Sequence, residues 1–161
     1  MSHVENPKAL HLYAVRPACG TVYIVGEQGL VLRLDREQQR FVQVALPYQG
    51  SLFGVLGRED MALVFGLRGN AWRSTGCTGE WTQVATGVQA ALTSGLIRTD
   101  GSVVLASQAG QLLVGQREGA EALERLKLPT PAPIFAMSEA GDSKVALAGP
   151  GGVKLEEVKK P

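Results

Sequence analysis

Few side chains in this 161-residue chain carry the chemistry of catalysis or metal binding. His3 and His11 are the only histidines, and neither stands near a cysteine pair or at ligand spacing, so no metal site is expected. Both also fall outside the apolar columns described below, where the base of a nucleophile would be positioned, so no Ser/His/Asp set follows. The stretch Ala148-Gly-Pro-Gly-Gly-Val-Lys154 has the glycines of a phosphate loop but lacks the G-x-x-x-x-G-K-[ST] spacing that would aim backbone N–H groups at a phosphate. Cys19 and Cys77 are too sparse for a disulfide scaffold and are expected as free or partly buried thiols. Sugar hydrolysis needs either a carboxylate pair or a Tyr beside a Glu, with an arginine cluster for an anionic sugar. The carboxylates Glu27, Asp35, Glu59, Asp60, Asp100, Glu139 and Asp142 fall mostly in turns at differing register, and none recurs as a buried pair. The expectation is a protein without catalytic residues and without a cofactor.

The basic residues are the better lead. Arg33 and Arg73 stand 40 residues apart in one repeat column, each after an apolar segment. Arg68 belongs to a turn between two such segments, while Arg16, Arg58 and Arg98 follow apolar runs on the opposite face. An arginine held by a rigid strand end can grip a carboxylate with two parallel hydrogen bonds, which suits an acidic segment or C-terminus of a protein partner. Arg33, Arg73 and Arg68 are therefore the candidate partner-binding residues.

The elements that must position them come in four copies. Val22–Gly29, Ala62–Gly69, Val103–Gly110 and Val145–Gly152 align, with their last glycines spaced by 40, 41 and 42 residues. Each is preceded by an apolar run (Leu12–Val15, Leu52–Val55, Leu92–Leu96, Ile134–Met137) and followed by another centred on Leu32, Trp72, Leu113 and Leu155. The first three copies add a fourth run: Phe41–Leu46, Trp81–Thr86 and Leu123–Leu128. The runs are short, rich in Val, Leu, Ile and aromatics, and bounded by Gly, Asp, Asn or Pro, which are strand and turn signals. Glycine pairs such as Gly26/Gly29 and Gly66/Gly69 mark tight connections where positive φ is expected.

Four short antiparallel strands per ~40 residues is the arithmetic of a β-propeller blade. The expected fold is all-β: a β-propeller of four four-stranded antiparallel blades, repeats 11–49, 50–89, 90–131 and 132–158, between a tail of residues 1–10 and a tail of residues 159–161. The last blade lacks its outer strand, and Met1–Leu10, with Pro7, lacks the pattern to supply it. Ala120–Leu128 is built of good helix formers, yet Leu126 shares a column with Val44 and Val84, so an outer strand is expected there. Such a chain is either a small closed ring or half of a larger propeller. Exposed blade flanks would then drive self-association into a homodimer.

Two stretches carry a family likeness. Val25-Gly-Glu-Gln-Gly-Leu-Val-Leu-Arg33 resembles the V-G-x-x-G-x-I-x-R unit of the photosystem II stability/assembly factor family. Phe65–Trp81 resembles that family's longer G-x-x-G-x-I-x-R-T-x-D-G-G-x-T-W unit, itself related to the Asp-box (BNR) repeat of sialidases. Gly76, Thr78 and Glu80 replace the box's Asp, Gly and Thr, while Ser74 and Trp81 remain as its structural remnant. The resemblance implies a non-enzymatic propeller that binds a protein or peptide on one face, among relatives that are often exported. It also implies a competing reading, a carbohydrate-active or lectin-like propeller.

Composition narrows the partner. Net charge is +1 and charged residues make up 19%, so there is no electrostatic footprint for nucleic acid. Runs such as Val22–Val25 and Ala62–Phe65 fall far short of the roughly 18 residues of a spanning helix, so no membrane span is expected. As given, the N-terminus lacks the cationic start and apolar run of a secretory leader, and the compartment stays open.

Overall fold

The computed structural model describes residues 5–116 and 122–159. Its fifteen strands form four antiparallel meanders, each ordered as it runs in sequence. Blade 1 contains β1 (Leu12–Ala18), β2 (Thr21–Gly26), β3 (Val31–Asp35) and β4 (Arg40–Gln43). Blade 2 contains β5 (Leu52–Arg58), β6 (Met61–Gly66), β7 (Ala71–Thr75) and β8 (Thr82–Gln83). Blade 3 contains β9 (Leu92–Ile97), β10 (Val103–Ser107), β11 (Leu112–Gly115) and β12 (Glu124–Leu126), and blade 4 contains β13 (Ala136–Glu139), β14 (Lys144–Gly149) and β15 (Gly152–Glu157). The outer strand expected near Leu126 is β12; Ala120 lies outside the described residues.

The chain divides into two compact units. Blades 1 and 2 form the first; blades 3 and 4 form the second, with which the turn Arg68–Asn70 is counted. In the first unit Tyr23, Val25 and Val31 of blade 1 pack with Leu52, Val55 and Val64 of blade 2, and Trp72 and Trp81 close over them. In the second, Val104, Leu112 and Val114 of blade 3 pack with Val145, Leu147 and Val158 of blade 4. Strands such as β6 and β10, buried along their whole length, read as continuous apolar runs rather than alternating, with Ser107 at the end of β10 hydrogen-bonded to Gln111.

The repeat register holds across three blades: Leu32, Trp72 and Leu113 stand opposite Gln43, Gln83 and Arg125. The fourth departs from the sequence reading. In blade 1 Gly26 donates to the Leu30 carbonyl across a three-residue turn, and Ser107 donates likewise to Gln111 in blade 3. In blade 4 Gly149 stands opposite Gly152, so the turn is one residue shorter. Lys154, paired with Leu147, therefore takes the position of Leu32, Trp72 and Leu113, and Leu155 turns to the other face.

The hairpin glycines also divide their work. Gly29 has φ +73, and with Gln28 at φ 54 it gives the two positive central residues of a twist-matched tight turn. Gly26 is extended, at φ −161; a Cβ there would strike the His11 carbonyl oxygen, so what it needs is close approach, not positive φ.

The two cysteines, expected as thiols, are joined. Cys19 lies in the β1–β2 turn and Cys77 in the β7–β8 turn, so the bond ties blade 1 to blade 2. Sequence spacing could not reveal this, because the partners are 58 residues apart and meet only through blade stacking.

Candidate functional site

Blade 1 carries a hollow of the first unit. The N-terminal segment does not trail free: the Glu5 N–H donates to the Phe41 carbonyl of β4, and Glu5 Oε2 accepts from the Gln43 N–H at 2.8 Å. Asn6 Oδ1 accepts the Leu10 N–H at 3.0 Å, folding residues 6–10 into a local turn. Between this segment, the β2–β3 turn and the chain leaving β4 opens a cleft of about 300 Å³. It is lined by Asn6, Lys8 and Leu10 on one side and by Gln28, Leu30 and Gln43–Leu46 on the other. The lining mixes backbone and polar groups with apolar side chains, as a site for an extended peptide requires.

Beside it stands a polar cluster that sequence reading missed. Glu27 Oε2 accepts the His11 N–H at 2.9 Å, while Glu27 Oε1 lies 3.1 Å from His11 Nδ1 and accepts the Tyr13 hydroxyl at 3.3 Å. The backbone N–H of His11, and then its ring, hold the Glu27 carboxyl below its ordinary value, against a smaller opposing effect of burial. Tyr13 is pushed up, first by burial and then by the Glu27 charge. The signal was present: β1 and β2 pair with Leu12 opposite Gly26, which places the residues flanking that pair together.

The candidate arginines belong to three different elements. Arg33 is exposed on β3, opposite Tyr23, and its guanidinium partly offsets the upward push that burial exerts on the Tyr23 phenol. Arg73 holds the equivalent place on β7, opposite Leu63, and is half-buried. Arg68 is exposed in the β6–β7 turn with φ 55. Ser74 is buried, and Trp81 packs against the core of the first unit. Arg58 pairs with Asp60 at 3.7 Å.

Arg98, which the sequence groups with Arg16 and Arg58 after apolar runs, differs from both in its surroundings. Its side chain is fully buried, between Asp100 at 3.6 Å and Glu139 at 3.9 Å, and it donates to the Asp142 carbonyl at 2.7 Å. Glu139 also accepts from the Thr99 hydroxyl at 2.8 Å. An arginine so enclosed joins blade 3 to blade 4 and offers nothing to a partner. Among the described residues, no group of three His, Cys, Asp or Glu side chains could hold a metal ion, and no helix is long and apolar enough to cross a membrane.

No family model and no curated protein matches the sequence. Solved structures do match the fold. The computationally designed Ika4 protein aligns with TM-score 0.79 at 16% identity, covering 99% of both chains. YCF48 bound to D1 peptide aligns with TM-score 0.57 at 17% identity over 85% of this chain and 49% of its own. Virginiamycin B lyase from Staphylococcus aureus aligns with TM-score 0.70 at 14% identity over 98% of this chain and 58% of its own. The chain thus spans about half the length of these two natural proteins. It is a β-propeller of four blades, the last with three strands.

Proposed function

We propose that this protein is a non-catalytic propeller of the photosystem II stability/assembly factor type, and that it holds an extended segment of a protein partner. The cleft between residues 6–10 and the end of β4 carries this reading, because it brings backbone, polar groups and apolar walls together in one hollow. The turn-and-strand units at Val25–Arg33 and Phe65–Trp81 support the family assignment, and a peptide-bound propeller among the fold neighbours supports the mode of binding. Arg33, Arg68 and Arg73, none of which lines the cleft, are the proposed cationic contacts for acidic parts of the partner that extend beyond it.

Fluorescence anisotropy with labelled extended peptides, acidic and neutral at the C-terminus, tests the proposal. Acidic peptides are expected to bind at micromolar concentration. Arg33→Glu with Arg68→Glu should weaken them at least tenfold while the thermal unfolding curve stays in place. Binding indifferent to these charges, or no binding by any peptide, would overturn the reading.

One observation favours a second, carbohydrate-active reading: Tyr13 beside Glu27 is the pair that a Tyr-nucleophile glycosidase uses. The environment disfavours it, since Glu27 is made a weaker base and Tyr13 a weaker acid. Release of fluorophore from a glycoside panel, lost in Tyr13→Phe, would establish it.

A further inference from the structure

The four blades are not equally covered, and the exposed positions have counterparts that are buried. Blade 2 receives blade 1 on the face that carries Leu52 and Val55, both in the core of the first unit. The equivalent face of blade 1 carries Leu12 and Val15. Val15 is 51% exposed where Val55 is 2%, and Leu12 is exposed where Leu52, Leu92 and Ile134 are buried. Blade 1 in turn offers blade 2 the face that carries Val25 and Val31. On blade 4 the same register positions are Ala148 and Val153, as the pairings Val25↔Val31 and Ala148↔Val153 establish. Val153 is 74% exposed where Val31 is 1%, and beside it Leu155 is exposed at the position of Arg33.

The two exposed surfaces are therefore the two halves of one interface, the one already formed between blades 1 and 2. Blade 1 presents the receiving half and blade 4 the entering half. Large apolar side chains left open in this way mark a contact surface.

We infer that two copies of this chain pair head to tail, the outer face of blade 4 in each seated on the outer face of blade 1 in the other. A twofold axis makes the two contacts identical and leaves no receiving or entering face open, so assembly stops at two. The lengths agree: two copies supply about the chain length of the natural propellers that a single copy half covers. The inference is independent of peptide binding, which uses a different edge of blade 1.

Sedimentation equilibrium and light scattering across a wide concentration range read the result directly. The chain should run at twice its 17.1 kDa and dissociate on dilution. Val15→Glu and Val153→Lys should each weaken pairing at least tenfold. Both positions are exposed in the single chain, so the circular dichroism spectrum should not change. An equimolar mixture of the two variants should recover the dimer, because one of its contacts is unaltered and the other sets Glu against Lys. Three results would overturn the inference: a mass of 17.1 kDa at every concentration, a dimer that only one of the two substitutions weakens, or an open ladder of oligomers.

Discussion

The two units solve one problem with different chemistry. Each must fasten a pair of blades through their turns: β1–β2 to β7–β8 in the first unit, β9–β10 to the end of β13 and the β13–β14 turn in the second. In the first unit the fastening is covalent, Cys19 to Cys77, supported by the Cys19 N–H donating to the Arg58 carbonyl at 2.7 Å. In the second it is ionic: Arg98 is held by Asp100, Glu139 and the Asp142 carbonyl, and Glu139 reaches back to Thr99. Arg58 and Arg98 are equivalent in the repeat, each followed by an aspartate two residues on, yet only Arg98 is enclosed. Equivalent arginines therefore do not make equivalent clamps: the repeat keeps the Arg-x-Asp turn, while the bond that joins the blades differs in both position and chemistry. A disulfide acts largely by restricting the unfolded chain, whereas a buried ion network acts in the folded state and is costly to leave half made.

Breaking the covalent clamp should have the largest effect. Closing a loop of 58 residues contributes about 4 kcal/mol. Cys19→Ser with Cys77→Ser, or reduction with dithiothreitol, should therefore lower the melting temperature by roughly 10 °C. Hydrogen exchange should rise first in β1–β8. Equal loosening of β9–β15 would refute the division of labour.

Arg98→Ala comes next, at about 3 kcal/mol, because it strands Glu139 and Asp100 without their buried cation. Denaturant unfolding measures it, and the loss should persist under reducing conditions. Replacing Arg98 by Met together with Glu139 by Leu should restore much of that stability, since the unpaired charge is then gone as well.

The smallest effect belongs to Glu27, outside both clamps. Its folded-state pKa lies below the ordinary 4.5, so its contribution is complete above that value and is lost as pH falls through the folded one. In Glu27→Gln the acid limb of the melting temperature against pH should flatten slightly, with no change near neutrality. A steeper limb would mean that the carboxylate destabilises the turn.

Much of the fold was legible because its causes are local. A period near 40, strand-length apolar runs and turn residues depend on neighbours in the chain, and they located every blade and the missing outer strand of the fourth. The site was far less legible. His11 and Glu27 are 16 residues apart and meet only because β1 folds back on β2. Arg33, Arg68 and Arg73 could be named from spacing, but how far each is exposed could not.

The number of blades, their antiparallel strands and the columns that three of them share follow from the order of residues, since hydrophobic period and turn chemistry act over a few residues. That two cysteines meet, that Arg98 is enclosed, and that a turn one residue shorter exchanges Leu155 for Lys154 are visible only in the folded chain. Those outcomes depend on how one sheet lies on the next, where a single step of register reverses the face that every following side chain presents.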